Sequence, residues 1–252
     1  MCCFSRPVNF VSGTGIFART DRGNRQFLVY SMVLNAKEDL AMVLPLPVRV
    51  GTGERDVTFI DLKDYLTFFE DLDRGFPLPP PPKLSRGVKS ASAALAKLEV
   101  VSVGSFDASF VPTMEDFPRL DERFRLPPGT WEKLPIYRSY GFTVFKLKKG
   151  ESKVHPMAFS FPRRDLSSLF FPTVHIHDGE VHPKADFDHV LYCQSSEGER
   201  LALTEWRESP KLAGQFMKTD KAKGLIAGDR HCYQRQLHGR LENKDVLIGA
   251  RV

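Results

Sequence analysis

Four of the chain's seven histidines fall in one stretch, Leu169 to Cys193, LFFPTVHIHDGEVHPKADFDHVLYC, with Asp178, Glu180, Asp186 and Asp188 between them. Residues two apart on a strand face the same side, so His175 and His177 project together and Ile176 points the other way. Two imidazoles on one pleated face can begin a site for a divalent metal such as zinc. His182, beyond the Asp178-Gly179 turn, supplies a third ligand, with Glu180, Cys193 and Cys232 as further donors. The match to known metal patterns is incomplete. A metallo-hydrolase HxHxDH motif would need aspartate at Gly179 and histidine at Glu180. The ordinary alternative is a polar strand end whose histidines bond water and backbone.

A second chemistry starts at Cys2. Removal of Met1 would leave an N-terminal amine and a thiol on one residue. In N-terminal-nucleophile hydrolases the α-amino group, with an ordinary pKa of about 7.7–8.0, is the base for its own side chain. Arg19 and Asp21 lie at a suitable distance in sequence to hold the substrate and the amine. Their Arg-Thr-Asp spacing departs from the Arg-Asn-x-Asp of the bile-salt hydrolase branch. Other combinations carry less. His231 and Cys232 are neighbours and would point to opposite faces of a strand. Arg163 and Arg164 with Lys146, Lys148 and Lys149 read as solvated surface.

The bulk composition narrows the classes. The 252 residues carry 36 basic and 31 acidic side chains, a net charge of +5, without long runs of one sign. That pattern gives no reason to expect a nucleic-acid partner. No apolar run reaches the roughly 20 residues of a membrane-spanning helix. Four cysteines without framework spacing suit a reduced, cytoplasmic protein, although a trimmed secreted chain would read the same. Twenty Phe against two Trp point to core filling.

The elements that must position these residues read mostly as strands. Phe27 to Leu34 and Leu40 to Val50 suggest a hairpin, with Pro45 and Pro47 placing the second run at a sheet edge or ending it early. Leu62, Tyr65, Leu66, Phe69 and Leu72 predict a helix from Asp61 to Arg74, capped by Asp61 and closed by a left-handed Gly75. A Pro-rich loop over 75–89 and a short helix from Ser90 to Leu98 follow. Val100 to Pro112 reads as two short strands, Phe117 to Phe124 as a helix capped by Asp116, and Glu205 to Met217 as another. Gly141 to Lys148, Val154 to Phe161, Leu169 to His177 and His189 to Gln194 predict an antiparallel meander. Arg230 to Leu241 with Val246 to Ile248 would close it as a hairpin. The sum is an α+β fold, an antiparallel β-sheet core with a few helices, in a single domain over 1–252.

The segments AMVLPLPV, IDLKDYLTFFEDLDRGFP, VGSFDASFV and YGFTVFKLKKG leading to HPMAFSFP occur in that order. In this the stretch from Cys2 to about Cys193 resembles a bacterial domain family of unknown function. The resemblance implies one coherent domain and brings no activity or site residues. Three functional readings follow. The leading one is a soluble binding or assembly module with an unidentified ligand or protein partner, and a divalent metal at His175, His177 and His182. Its rival is a cysteine amidohydrolase using Cys2 with Arg19 and Asp21. A purely structural module uses none of these residues.

Overall fold

Along the central strands apolar side chains occupy successive positions, GIFA at 15–18, FLVYSM at 27–32 and VLYC at 190–193. A strand can carry such a run only where both of its faces are covered. The computed structural model describes residues 2–21, 23–77, 107–195 and 201–249 and shows how both are. Strands β1 (Cys2–Phe4), β2 (Phe10–Thr20), β3 (Arg25–Ala36), β4 (Leu40–Leu46) and β5 (Thr58–Asp61) precede the helix α1 (Phe68–Arg74). After it come β6 (Ala108–Val111), β7 (Gly141–Leu147), β8 (Gly150–Pro162), β9 (Ser168–Phe171) and β10 (His175–Ile176). The last are β11 (Lys184–Gln194), β12 (Arg207–Glu208), β13 (Tyr233–Glu242) and β14 (Val246–Gly249). They form a seven-stranded sheet ordered β12-β13-β11-β2-β3-β8-β5, a five-stranded sheet ordered β10-β1-β4-β7-β6, and the pair β14-β9.

The seven-stranded sheet is the middle layer. Ile16, Ala18, Leu28, Tyr30, Phe159, Leu191 and Cys193 share one core with Met42, Val43, Val144 and Phe145 of the five-stranded sheet. The alternate residues Phe17, Val29, Ala158 and Tyr192 share a second core with Phe68 and Leu72 of α1 and with Ala213, Met217 and Leu225. Period-two alternation thus sorts consecutive apolar residues into two cores.

The expected α+β mixture is overturned by this architecture. Among the described residues there is one α-helix, seven residues long, and otherwise only 3₁₀ turns. The fold is β-rich. The helix predicted from Asp61 begins only at Phe68, because Asp61 ends β5 and its carboxylate takes the Lys63 N–H at 2.8 Å in a turn. Gly75 is right-handed (φ −65°). It is glycine for space, since a Cβ there would come within 2.5 Å of the Phe216 ring. Segment 117–124 forms two 3₁₀ turns, the first containing Pro118, and Asp121 instead of Asp116 caps a turn. Segment 205–217 holds β12 and one 3₁₀ turn. The helix expected from Ser90 to Leu98 lies outside the described residues, as does most of 75–89.

The predicted meander and hairpins also change. β3 and β4 do not pair; the chain crosses from one sheet to the other at 37–39. β4 is central rather than an edge and ends early, at Leu46; Pro45 lies opposite Phe142 of β7 and beyond the reach of β1, which pairs only with Met42 and Val43. β13 pairs with β11 and β14 with β9, not with each other. Two pairs, β1 with β10 and β2 with β11, are parallel. No helix of the described residues is long and apolar enough to cross a membrane.

The turn between β13 and β14 secures the break between β9 and β10. Asp245 accepts the Thr173 N–H (2.8 Å), the Val174 N–H (3.1 Å) and the Tyr137 hydroxyl (2.8 Å). Asn243 accepts the His175 N–H at 2.7 Å and donates to the His175 carbonyl at 2.9 Å, as a neighbouring strand would. Asp245→Ala leaves three inward donors without an acceptor and is expected to cost about 3 kcal/mol in urea unfolding. The exposed Asp178→Ala serves as the reference; a loss at Asp245 no larger than at Asp178 would remove the clamp.

Candidate functional site

The histidines meet where the two sheets meet. His175 enters from β10, in the five-stranded sheet, and His189 from β11, in the seven-stranded one. Their Nε2 atoms are 2.9 Å apart. His175 is 6% exposed and His189 2%. The His177 ring stacks on His175 at 4.8 Å between centroids, with 14° between planes, and Phe187 stacks on His175 at 4.3 Å. Phe4 packs on His177 at 5.6 Å. The His175 side of this cluster opens into a cleft of about 330 Å³, also lined by His182, Lys184, Asp186 and Arg240.

Asp188 orients the pair from β11. Its Oδ1 lies 3.5 Å from His189 Nδ1, a charge contact more than a well-formed hydrogen bond. Its Oδ2 accepts the Gly13 N–H at 2.6 Å. Gly13 has φ +58° in the bulge where β2 and β3 shift register, a conformation that favours glycine. Contact with His189 and with that N–H holds the Asp188 carboxyl below the usual range. Burial pushes all three imidazoles down: His177 and His189 to about 4, and His175 further.

The structure thus brings together two of the three histidines proposed as metal ligands. His182 turns to Asp178 instead, at 2.8 Å on the surface. Among the described residues no three His, Cys, Asp or Glu side chains converge as metal ligands would. Stacked rings explain why: near-parallel planes send their lone pairs in parallel, and His175 Nε2 already faces His189. His189 was absent from the proposed ligand set. Its signal was in the sequence, since Phe187, His189, Leu191 and Cys193 form a period-two row whose apolar members are core.

Cys2 pairs in register with His175, so the two stretches treated as rivals are neighbours in one sheet. Arg19 and Asp21 lie in the other sheet, at the end of β2. Arg19 donates to the Gly224 carbonyl and sits 5.2 Å from the Phe27 ring centre, while Asp21 takes the Arg25 N–H at 2.7 Å to close the β2–β3 turn. Cys3, Cys193 and Cys232 are buried, and burial pushes the Cys232 thiol up to about 12.

No family model and no curated protein sequence matches the chain. Among solved structures, baculovirus P35 aligns with a TM-score of 0.50 at 14% identity, covering 96% of this chain and 97% of that one. P35 in its complex with caspase-8 gives 0.45 at 14% identity, covering 95% and 96%. A mutated P35 after caspase cleavage gives 0.46 at 13% identity, covering 95% and 99%. The chain shares the fold of P35. Identity this low carries the architecture and not the chemistry of individual residues.

Buried thiols with raised pKa values are poor nucleophiles. In the native chain, iodoacetamide at about pH 8 is expected to leave Cys3, Cys193 and Cys232 unmodified, and to modify all three in urea. Peptide mass mapping reads the outcome. Native labelling of Cys232 at the rate of a free thiol would contradict its burial.

Proposed function

We propose that this chain is a protein-binding module and that its partner is a cysteine protease of the caspase class. The observation that carries this reading is the extent of the likeness to P35, which spans nearly all of both chains. P35 itself has been solved in complex with caspase-8. The clefts beside the histidines support a macromolecular partner over a small molecule. They are open and lined by charged groups already paired among themselves, Arg240 with Asp186 and Lys244 with Glu242. Small-molecule sites are enclosed and mostly apolar by comparison.

The test is direct. The full chain, added in molar excess to a panel of active caspases, is expected to suppress cleavage of a fluorogenic peptide and to co-elute with at least one of them in gel filtration. Micromolar affinity or tighter corresponds to about −8 kcal/mol, within reach of a standard-sized interface. Undiminished peptidase activity and separate elution across the whole panel would rule out this partner class.

A further inference from the structure

The His175–His189 contact joins the two sheets beside the Asn243 amide, which bonds the His175 backbone from the end of β13. A spacing of 2.9 Å between two ring nitrogens is a hydrogen bond, and it needs one Nε2 protonated and the other bare. The partners indicate which is which. Asp188 Oδ1, 3.5 Å from His189 Nδ1, favours the tautomer with the His189 proton on Nδ1 and Nε2 as acceptor. His175 Nε2–H is then the donor. A further proton on His189 Nε2 would set two N–H groups face to face at hydrogen-bond distance. The closed pair therefore cannot take up two protons, whereas separated, hydrated imidazoles each can.

We propose that the His175–His189 pair is an acid-released clasp between the two sheets, closed while at least one of the two rings is neutral and opened when both are protonated, freeing β10 and β1. What it holds is short. β10 has two residues and sits at the edge of its sheet, and β1, beside it, has three. Without β10, β1 becomes the edge strand.

The charges around the pair act in both directions. On the β10 side, His177 stacks on His175 and adds a competing positive charge when protonated. On β11, Asp188 favours a charged His189, and exposed His238 lies opposite Asp188 on β13. In the turn, Asp178 raises His177 and is itself bound to His182. At the cleft mouth Asp186 is paired with Arg240, and Lys184 is exposed. Burial outweighs the nearby carboxylates, because His177 and His189 are pushed down to about 4 and His175 further. The sign follows from linkage. The closed state binds fewer protons than the open one, so closure is fully favoured above about pH 6.5 and is lost as pH falls below it, by up to about tenfold per pH unit for each proton the closed state excludes.

The inference is independent of the partner's identity and is tested on the full chain alone, by hydrogen exchange corrected for intrinsic rates. Protection of the β10 and β1 amides is expected to fall at least about tenfold between about pH 7 and about pH 5, while β3 and β8 stay protected. In His175→Phe with His189→Leu the fall should disappear. Wild-type protection of β10 and β1 that does not change with pH overturns the clasp, as does the same fall in the double variant. If that variant does not fold, ¹⁵N imidazole spectra of the wild type decide. Two rings that titrate near their ordinary value of about 6.5 while β10 stays protected overturn the proposal. A pair that does not reach double protonation until β10 exchanges supports it.

Discussion

Everything in this fold depends on a sheet that must be covered twice. An antiparallel sheet commonly keeps one face in water, and its strands then alternate apolar with polar residues. Here β2, β3, β8 and β11 carry apolar residues on both faces. Burying a side chain such as Phe17, Tyr30 or Phe159 is worth about 1.5–3 kcal/mol each, so neither face can be left bare. The five-stranded sheet covers one face. The other is covered by α1 and by the segment after β12, which has little regular structure of its own. That segment is held by specific contacts. Tyr65 donates its hydroxyl to buried Asp71 at 2.9 Å and accepts the Lys218 N–H at 2.8 Å, while Arg74 closes on the same carboxylate.

A double cover also creates the fold's polar problem, because strands that end inside a core leave backbone groups without a partner. Three side-chain amides solve it in the same way. Gln26 bonds both the carbonyl (2.6 Å) and the N–H (3.1 Å) of Phe170. Gln194 does this for Ala227, at 2.9 Å each way. Asn243 does it for His175. Each amide presents a donor and an acceptor at the spacing of a peptide group, so it stands in for a missing ladder position. The buried histidine pair belongs to the same class of device, but with one difference. An amide keeps its donor and acceptor at every accessible pH, and an imidazole does not.

The sequence made the strands legible and their partners largely illegible. β3 and β7 follow directly from β-branched and aromatic runs, because strand propensity is local. Pairing is not. Val190 lies beside Gly15, about 175 residues away along the chain, and no local pattern marks it. Adjacency suggested a hairpin for β3 and β4, yet the short polar link 37–39 carries the chain between sheets. The helix expectations failed for a related reason. Leu62, Tyr65 and Leu72 do repeat at three- to four-residue intervals, but a turn-rich segment draped over a sheet can place residues inward at that spacing without being helical. At the histidines the strand period correctly put His175 beside His177. It was the row Phe187, His189, Leu191, Cys193 that located the partner, and reading it required treating a histidine as a core residue.

That last point bears on where a fold of this kind can move. Segments with long ladders, such as β3 with β8 and β11 with β13, are fixed by many mutually reinforcing bonds. The β1–β10 junction is fixed by two registered pairs, one amide, and a few side chains near the start and the late middle of the chain. Local opening draws on the least reinforced part of a structure. A short parallel junction closed over a large sequence separation is that part here. It is also where a titratable pair bridging both sheets is buried. Stability and responsiveness are therefore separated in space. The doubly covered sheet carries the first, and the small edge beside the histidines is left free to supply the second.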